Sequence, residues 1–285
     1  MMQTIRLGIS TCPNDTFAFH GLMEKRVDWR GLNFDIELLD IQELNNHLFK
    51  QHFDIAKASF HAAMLLTDQY IVLPSGSALG FGVGPLLLSS TPDSSPNRHD
   101  QLALCPGEHT TATLLYDMFY PNVTQVEQVV FSEIMPRLHK RRADFGVCIH
   151  EGRFTWESSG LFLVEDLGAR WETETQCPLP LGSIIGRRSL GDDVIARVQG
   201  VIRDSLLYGL ANPKEPLPTM REYAQEFDDL VLLKHVELYV NDWTVDLGVV
   251  GRQALDKLSK RSNLGNGKQK GLEVFAQNVE TVKRL

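Results

Sequence analysis

The chain has 285 residues, 43% of them apolar and 22% charged, with a formal net charge of −8. That length holds one large domain or two ordinary ones. The composition is that of an ordinary globular protein, and the acidic balance argues against a nucleic-acid surface.

The opening "MMQTIRLGIS" runs straight into a strand at 5–10, with no basic or apolar leader, so no secretory signal is expected. A helix follows over 16–26, an alternating strand over 33–39, a helix over 42–50 and a short strand over 54–58. This β-α-β-α-β rhythm predicts a mainly parallel sheet with helices on its faces. Residues 69–90 carry no charge, but Pro74, Gly76, Gly80, Gly82, Gly84 and Pro85 break any helix. They read as strand, glycine-rich loop and strand rather than a membrane span. The polar stretch "STPDSSPNRHD" (90–100) is a candidate crossing between domains.

The rhythm then restarts: strand 102–105, helix 111–119, strand 126–131, helix 133–142, strand 145–149. "LPLGSIIGRRSL" (179–190) is a returning strand, and helices are predicted over 191–210, 217–227, 230–239 and 245–258. A loop at 262–271 precedes a last helix over 272–285. The predicted architecture is an α/β clamp of two lobes. Residues 1–95 and 190–285 form the first lobe, and 96–189 an inserted second one. Ligands of open α/β sheets sit beyond the carboxyl ends of the strands, which in such a clamp face one another across a cleft.

Several catalytic signatures fail. "HEGRF" (150–154) has Phe154 where a zinc protease needs its second histidine, and "GISTC" (8–12) has Cys12 where a nucleophile elbow needs glycine. "GFGVGP" (80–85) is not G-x-G-x-x-G, and "GNGK" (265–268) lacks the first glycine of a phosphate-binding loop. Cys12, Cys105, Cys148 and Cys177 show no C-x-x-C pair or zinc spacing and read as reduced thiols of a cytoplasmic protein.

Four strand-end loops remain. Cys12-Pro13-Asn14-Asp15 joins the first strand to the first helix; Asn14 or Asp15 would cap that helix, with or without a ligand role. "GEHTTA" (107–112) offers Thr110, Thr111 and the amides of a helix start, which serve either as a cap or as a seat for a carboxylate or phosphate. Lys57 and Ser59 in "AKAS" supply a cation and a hydroxyl, or a solvated surface pair. "GVCIHEGRFT" (146–155) ends an apolar run on His150, either a structural histidine or a general base with an ordinary pKa near 6.5. Arg153 would bind an acidic substrate or pair with Glu151.

At these residues the sequence resembles 1,4-dihydroxy-6-naphthoate synthase of the futalosine route to menaquinone: "CPNDTF" (12–17), "SGSALGFGVGPLL" (75–87), "GEHTTA", "IHEGRFT" (149–155), "LPLGSI" (179–184) and "HVELYVN" (235–241). The resemblance runs from the first strand to about residue 250. It departs at Ala58, where the family usually has leucine, and at Gly152, where serine is common.

The resemblance implies a fold like the type 2 periplasmic binding proteins. It also implies cleavage of cyclic dehypoxanthine futalosine without metal or organic cofactor, by a lyase-type reaction. His150 would be the catalytic base. Lys57, Ala58, Ser59, Thr111 and Ala112 would line the substrate site, with Thr110 and Asn14 beside it. The expected partner is a small, acidic, sugar-bearing molecule, with neither nucleic acid nor membrane. The rival readings are a chorismate dehydratase on the same fold, a non-catalytic carboxylate-binding protein, and a ligand-sensing lobe pair of a DNA-linked regulator.

Overall fold

Alternation builds the first strand, β1 (Gln3–Ser10): Ile5, Leu7 and Ile9 point to one face and are fully buried. Residues 2–150, 152–224, 228–262 and 271–276 are described by this computed structural model. After β1 come α1 (Pro13–Met23), β2 (Leu32–Leu39), α2 (Ile41–Phe49), β3 (Ile55–Ser59) and α3 (Phe60–Leu65). Two short strands follow, β4 (Tyr70–Val72) and β5 (Ala78–Gly80). The chain then crosses to the second lobe.

The second lobe runs β6 (Leu86–Ser89), β7 (Leu102–Cys105), α4 (Thr111–Phe119), β8 (Gln125–Gln128), α5 (Phe131–His139) and β9 (Phe145–Cys148). It closes with α6 (Gly152–Thr155), β10 (Phe162–Asp166) and α7 (Leu167–Thr175). Strand β11 (Leu179–Arg187) returns to the first sheet, and α8 (Asp192–Ala211), α9 (Leu217–Tyr223), α10 (Asp229–Tyr239), α11 (Asp242–Val245) and α12 (Gly248–Arg261) pack around it.

The first sheet has the order β2-β1-β3-β11-β4, with β5 also paired to β11; the second is β10-β6-β9-β7-β8. Each keeps the parallel trio that the alternating rhythm predicts, β2-β1-β3 and β8-β7-β9. The antiparallel members are the strands that carry the chain across and back, β11 against β3 and β6 against β9. Three apolar clusters follow from this layering. One covers the α8 face of the first sheet, one the α5 face of the second, and the largest runs through both lobes by way of Leu79, Leu87, Trp171 and Leu179.

Sheet membership moves the lobe boundaries. The crossing lies at 81–85, not at 90–100, because β6 already pairs with β9; the return lies before β11, which pairs with β3. Pairing, not polarity, sets where the lobes divide. The helix predicted over 245–258 breaks at 246–247, where Gly248 takes a positive φ of 56° and starts α12 anew. The helix predicted over 217–227 stops at Tyr223; 225–227 lie outside the described residues. Of the last predicted helix, 272–276 are instead extended. Val274 bridges Val72 and the Phe275 N–H donates to Val72 O at 2.8 Å, while 277–285 lie outside the described residues. No described helix is long and apolar enough to cross a membrane.

The crossing is held by backbone-to-backbone contact. A Cβ on Gly168 would lie 2.5 Å from Gly84 Cα, and one on Gly84 2.2 Å from Gly168 Cα. Arg153 ties the same place, donating to Gly84 O at 2.7 Å and to Asp166 Oδ2 at 2.8 Å. Its guanidinium is thereby committed to the fold rather than offered to a substrate. Gly168→Ala should force the two backbones apart and cost about 1–3 kcal/mol, as overpacking does. Urea unfolding of the variant measures this, and an unchanged midpoint would contradict it.

Candidate active site

The loops that follow β1, β3, β7 and β9 converge on one cavity between the lobes. Its mouth included, it encloses about 660 Å³. The first lobe contributes Ser10, Cys12, Asn14, Asp15, Lys57, Ser59, His235 and Tyr239; the second contributes Thr110, Thr111, Ala112, Ile149 and His150. Seven of the eight site residues expected from sequence therefore share one space. Ala58 does not: between Lys57 and Ser59 on β3 it must point to the other face, where it is buried in the core.

Pro13 occupies the first turn of α1, as its fixed φ suits. Neither Asn14 nor Asp15 caps that helix; Cys12 holds the cap position without a side-chain cap bond. Both polar side chains turn inward. Lys57 Nζ donates to Asp15 Oδ1 at 2.5 Å and to Gly76 O at 3.2 Å. The two side chains are only 6% and 4% exposed. Burial pushes the Asp15 carboxyl upward, and Lys57 opposes that push. Asn14 Nδ2 donates to the same Asp15 oxygen at 3.0 Å. This leaves Asn14 Oδ1 as an acceptor, 3.1 Å from His235 Nε2. The proton of His235 therefore sits on Nε2. Asn14 serves as a connector between Asp15 and His235.

In the second lobe, Thr110 caps α4 by accepting from the Thr113 N–H at 3.2 Å, and its hydroxyl also bonds Gly107 O at 2.8 Å. Thr111 Oγ1 donates across the cleft to Leu181 O at 2.7 Å. Both hydroxyls are committed. The N–H groups of Thr111 and Ala112 make no hydrogen bond among the described residues, so the first turn of α4 presents two open donors to the cavity. Facing them, Ser59 accepts from Asn45 Nδ2 at 3.0 Å, and its own N–H donates to Asn45 Oδ1 at 3.0 Å.

His150 follows β9 with a positive φ of 55°, a conformation that His, Asn and Asp accept more readily than most residues. Its ring meets Phe131 edge-on at 4.8 Å and lies nearly parallel to His235, centroids 6.5 Å apart. Cys12 Sγ is 3.3 Å from Nδ1 and 3.5 Å from Nε2. Near-equal distances place the sulfur over the ring, since an in-plane approach between the nitrogens would strike Cε1. The thiol lies against the ring, and among the described residues no other side chain is hydrogen-bonded to its nitrogens. Burial, then Lys57, lowers the His150 pKa to about 4; burial, then His150, lowers that of His235 to about 3. The ordinary value near 6.5 expected for His150 is replaced by a ring that stays neutral through the whole physiological range.

Asp15, His235 and Tyr239 are absent from the sequence-derived set. A signal for His235 exists: with Leu232, Val236 and Tyr239 it falls on the buried stripe of α10, an unusual place for an imidazole. Cys105 is buried with its thiol pushed strongly upward by desolvation, and burial pushes Cys148 up to about 12.

A protein family described as menaquinone biosynthesis matches residues 5–263. A 1,4-dihydroxy-6-naphthoate synthase of Thermus thermophilus is 39% identical over 257 residues, 90% of this chain and 93% of its own. A protein of the same name from Streptomyces coelicolor is 36% identical over 264 residues, 91% and 93% of the two chains. Among solved structures, a protein of Archaeoglobus fulgidus superposes with a TM-score of 0.86 at 29% identity, covering 91% of this chain and 96% of that one. The periplasmic aliphatic sulphonate binding protein of Escherichia coli does so at 0.61 and 9% identity, covering 90% and 92%. The second likeness concerns the fold alone, that of the periplasmic binding proteins.

Two outcomes follow from the buried charges. Asp15→Asn leaves Lys57 buried without a counter-charge and should cost about 3–5 kcal/mol by urea unfolding, whereas Asp15→Leu with Lys57→Met should recover most of that stability. His61, His150 and His235 all have folded pKa values below the ordinary 6.5, at about 4, 4 and 3. The unfolded chain takes up these protons first as pH falls. Stability should therefore be full above pH 6.5 and decline by a few kcal/mol between pH 6.5 and about 4. Urea midpoints across that range test this; a flat profile would contradict it.

Proposed function

We propose, for a chain that belongs to the menaquinone-biosynthesis family, the activity of a 1,4-dihydroxy-6-naphthoate synthase: cleavage of cyclic dehypoxanthine futalosine into the naphthoate and a sugar-derived fragment. The observation that carries this reading is a neutral, buried imidazole that lines one cavity together with two open helix-start amides and a lysine. That is a donor set for an acidic group beside a proton acceptor.

In this reading the amides of Thr111 and Ala112 and the Ser59 hydroxyl hold the carboxylate or a hydroxyl of the substrate. Lys57 adds positive charge from the cavity wall, its ammonium fixed by Asp15. Closure of the lobes excludes water and aligns the scissile bond. His150 then takes a proton from the sugar-derived part. The electron pair of that C–H bond moves toward the ring system, the bond to the fragment breaks, and the ring becomes aromatic as the fragment leaves. The driving force resides in the substrate, so one positioned base carries the step. A bound carboxylate also offsets Lys57 and raises the basicity of His150 from the empty-site value. We place the reaction in the cytoplasm, with a small molecule as the only required partner.

The test is incubation of the full chain with cyclic dehypoxanthine futalosine and detection of the naphthoate by mass. Binding without product would identify a carboxylate-binding protein instead, and product from chorismate would identify the dehydratase. His150→Asn keeps a residue type that tolerates the positive φ and removes the base. It should lower turnover by about 10²–10⁴-fold while calorimetry shows substrate binding largely retained. Wild-type turnover in that variant would remove His150 from the reaction.

A further inference from the structure

A second cluster of chemistry-bearing side chains lies outside the cleft. Glu37 stands on β2, the outermost strand of the first sheet. His47 is in the last turn of α2, and His52 follows that helix by three residues. One ligating atom from each of the three lies within 4.8 Å of the others, and His52 Nε2 is 3.3 Å from Glu37 Oε2. None of them lines the cavity between the lobes.

The backbone brings them together. β2 is paired with β1 along its whole length. Gln51 takes a left-handed φ of 54° and turns the chain back, so that the His52 N–H donates to His47 O at 3.0 Å. The two imidazole centroids come to 5.1 Å. His47 Nδ1 is buried with no hydrogen-bond partner among the described residues. Glu37 and His52 keep about half of their side-chain surface open, at 46% and 50%. An ion can therefore enter, and water can fill a fourth position.

Two imidazoles and one carboxylate form a donor set for a borderline divalent cation, which binds nitrogen at about 2.0–2.1 Å and oxygen at about 2.0–2.2 Å in a tetrahedron. Bonds of that length separate neighbouring ligand atoms by about 3.3–3.5 Å. His52 and Glu37 already stand at that spacing, and small rotations of exposed side chains bring in the third. We infer that Glu37, His47 and His52 form a binding site for a divalent transition-metal cation of the Zn²⁺ class, a clip that ties the edge strand β2 to the turn between α2 and β3. The clip takes no part in the proposed reaction. It braces one wall of the cleft, because α2 carries Ile41 and Asn45, and Asn45 orients Ser59.

The test titrates zinc chloride, with magnesium chloride as control, into the full chain by calorimetry, followed by thermal unfolding at each ratio. One zinc per chain, a raised unfolding temperature and no response to magnesium are expected. Cobalt(II) in its place should give the visible absorption of a tetrahedral ion. Glu37→Gln and His52→Ala, both at exposed positions that leave the fold intact, should each weaken zinc binding about tenfold or more. Absence of zinc binding by the unmodified chain would overturn the inference. So would equal affinity in both variants, which would place the ion on other histidines.

Discussion

The buried pair of Lys57 and Asp15 is the interaction on which the site depends. Two charges removed from water cost several kcal/mol each unless they are matched and their remaining hydrogen bonds are made. Here Asp15 receives Lys57 and Asn14, and Lys57 also reaches a backbone carbonyl. This matching pulls the joint after β1 against β3 and fixes the direction of every later bond. Asn14 has only its carbonyl left to offer, and His235 can only donate to it. Burial first, and then the ammonium so fixed, keeps His150 unprotonated.

Around that pair the two lobes meet through committed polar contacts rather than an open gap. Thr111 reaches Leu181 O, and His61 Nδ1 lies 3.3 Å from Thr110 O. The crossing closes at Gly84 and Gly168 with no side chain between the backbones. Among the described residues, two amides at the start of α4 make no hydrogen bond, and the nitrogens of the His150 ring are met by the Cys12 sulfur. The residues that build the cleft are thus distinct in role from the groups that face its contents. Thr110, Thr111 and Asn14 set the shape with their side chains, while backbone donors, Lys57 and His150 line the cavity.

Much of the fold was legible in the sequence because its signals are local. Period-two apolar runs such as Ile5, Leu7 and Ile9, and joints rich in Pro, Asn and Thr, announce strands and helix starts from neighbouring residues alone. The same locality placed Lys57, Ser59, Thr110, Thr111, Ala112 and His150 at strand ends, where a clamp collects them. Ala58 was included through the family resemblance, and only the alternation of β3 turns it away.

Pairing between distant segments could not be read in this way. Whether β6 belongs to the first or the second sheet depends on β9, some sixty residues on, and the extended run 272–276 is extended because it finds β4. The inward turn of Asp15 requires Lys57, and the burial of His235 requires Asn14, each far away in the chain. The sequence by itself determined the order of elements and the strand-end loops that carry polar groups, since both follow from residues within a few positions of one another. Only the tertiary structure decided which side chains remain free to meet a ligand and which imidazole stays neutral, because these depend on desolvation and on charges brought together by the fold.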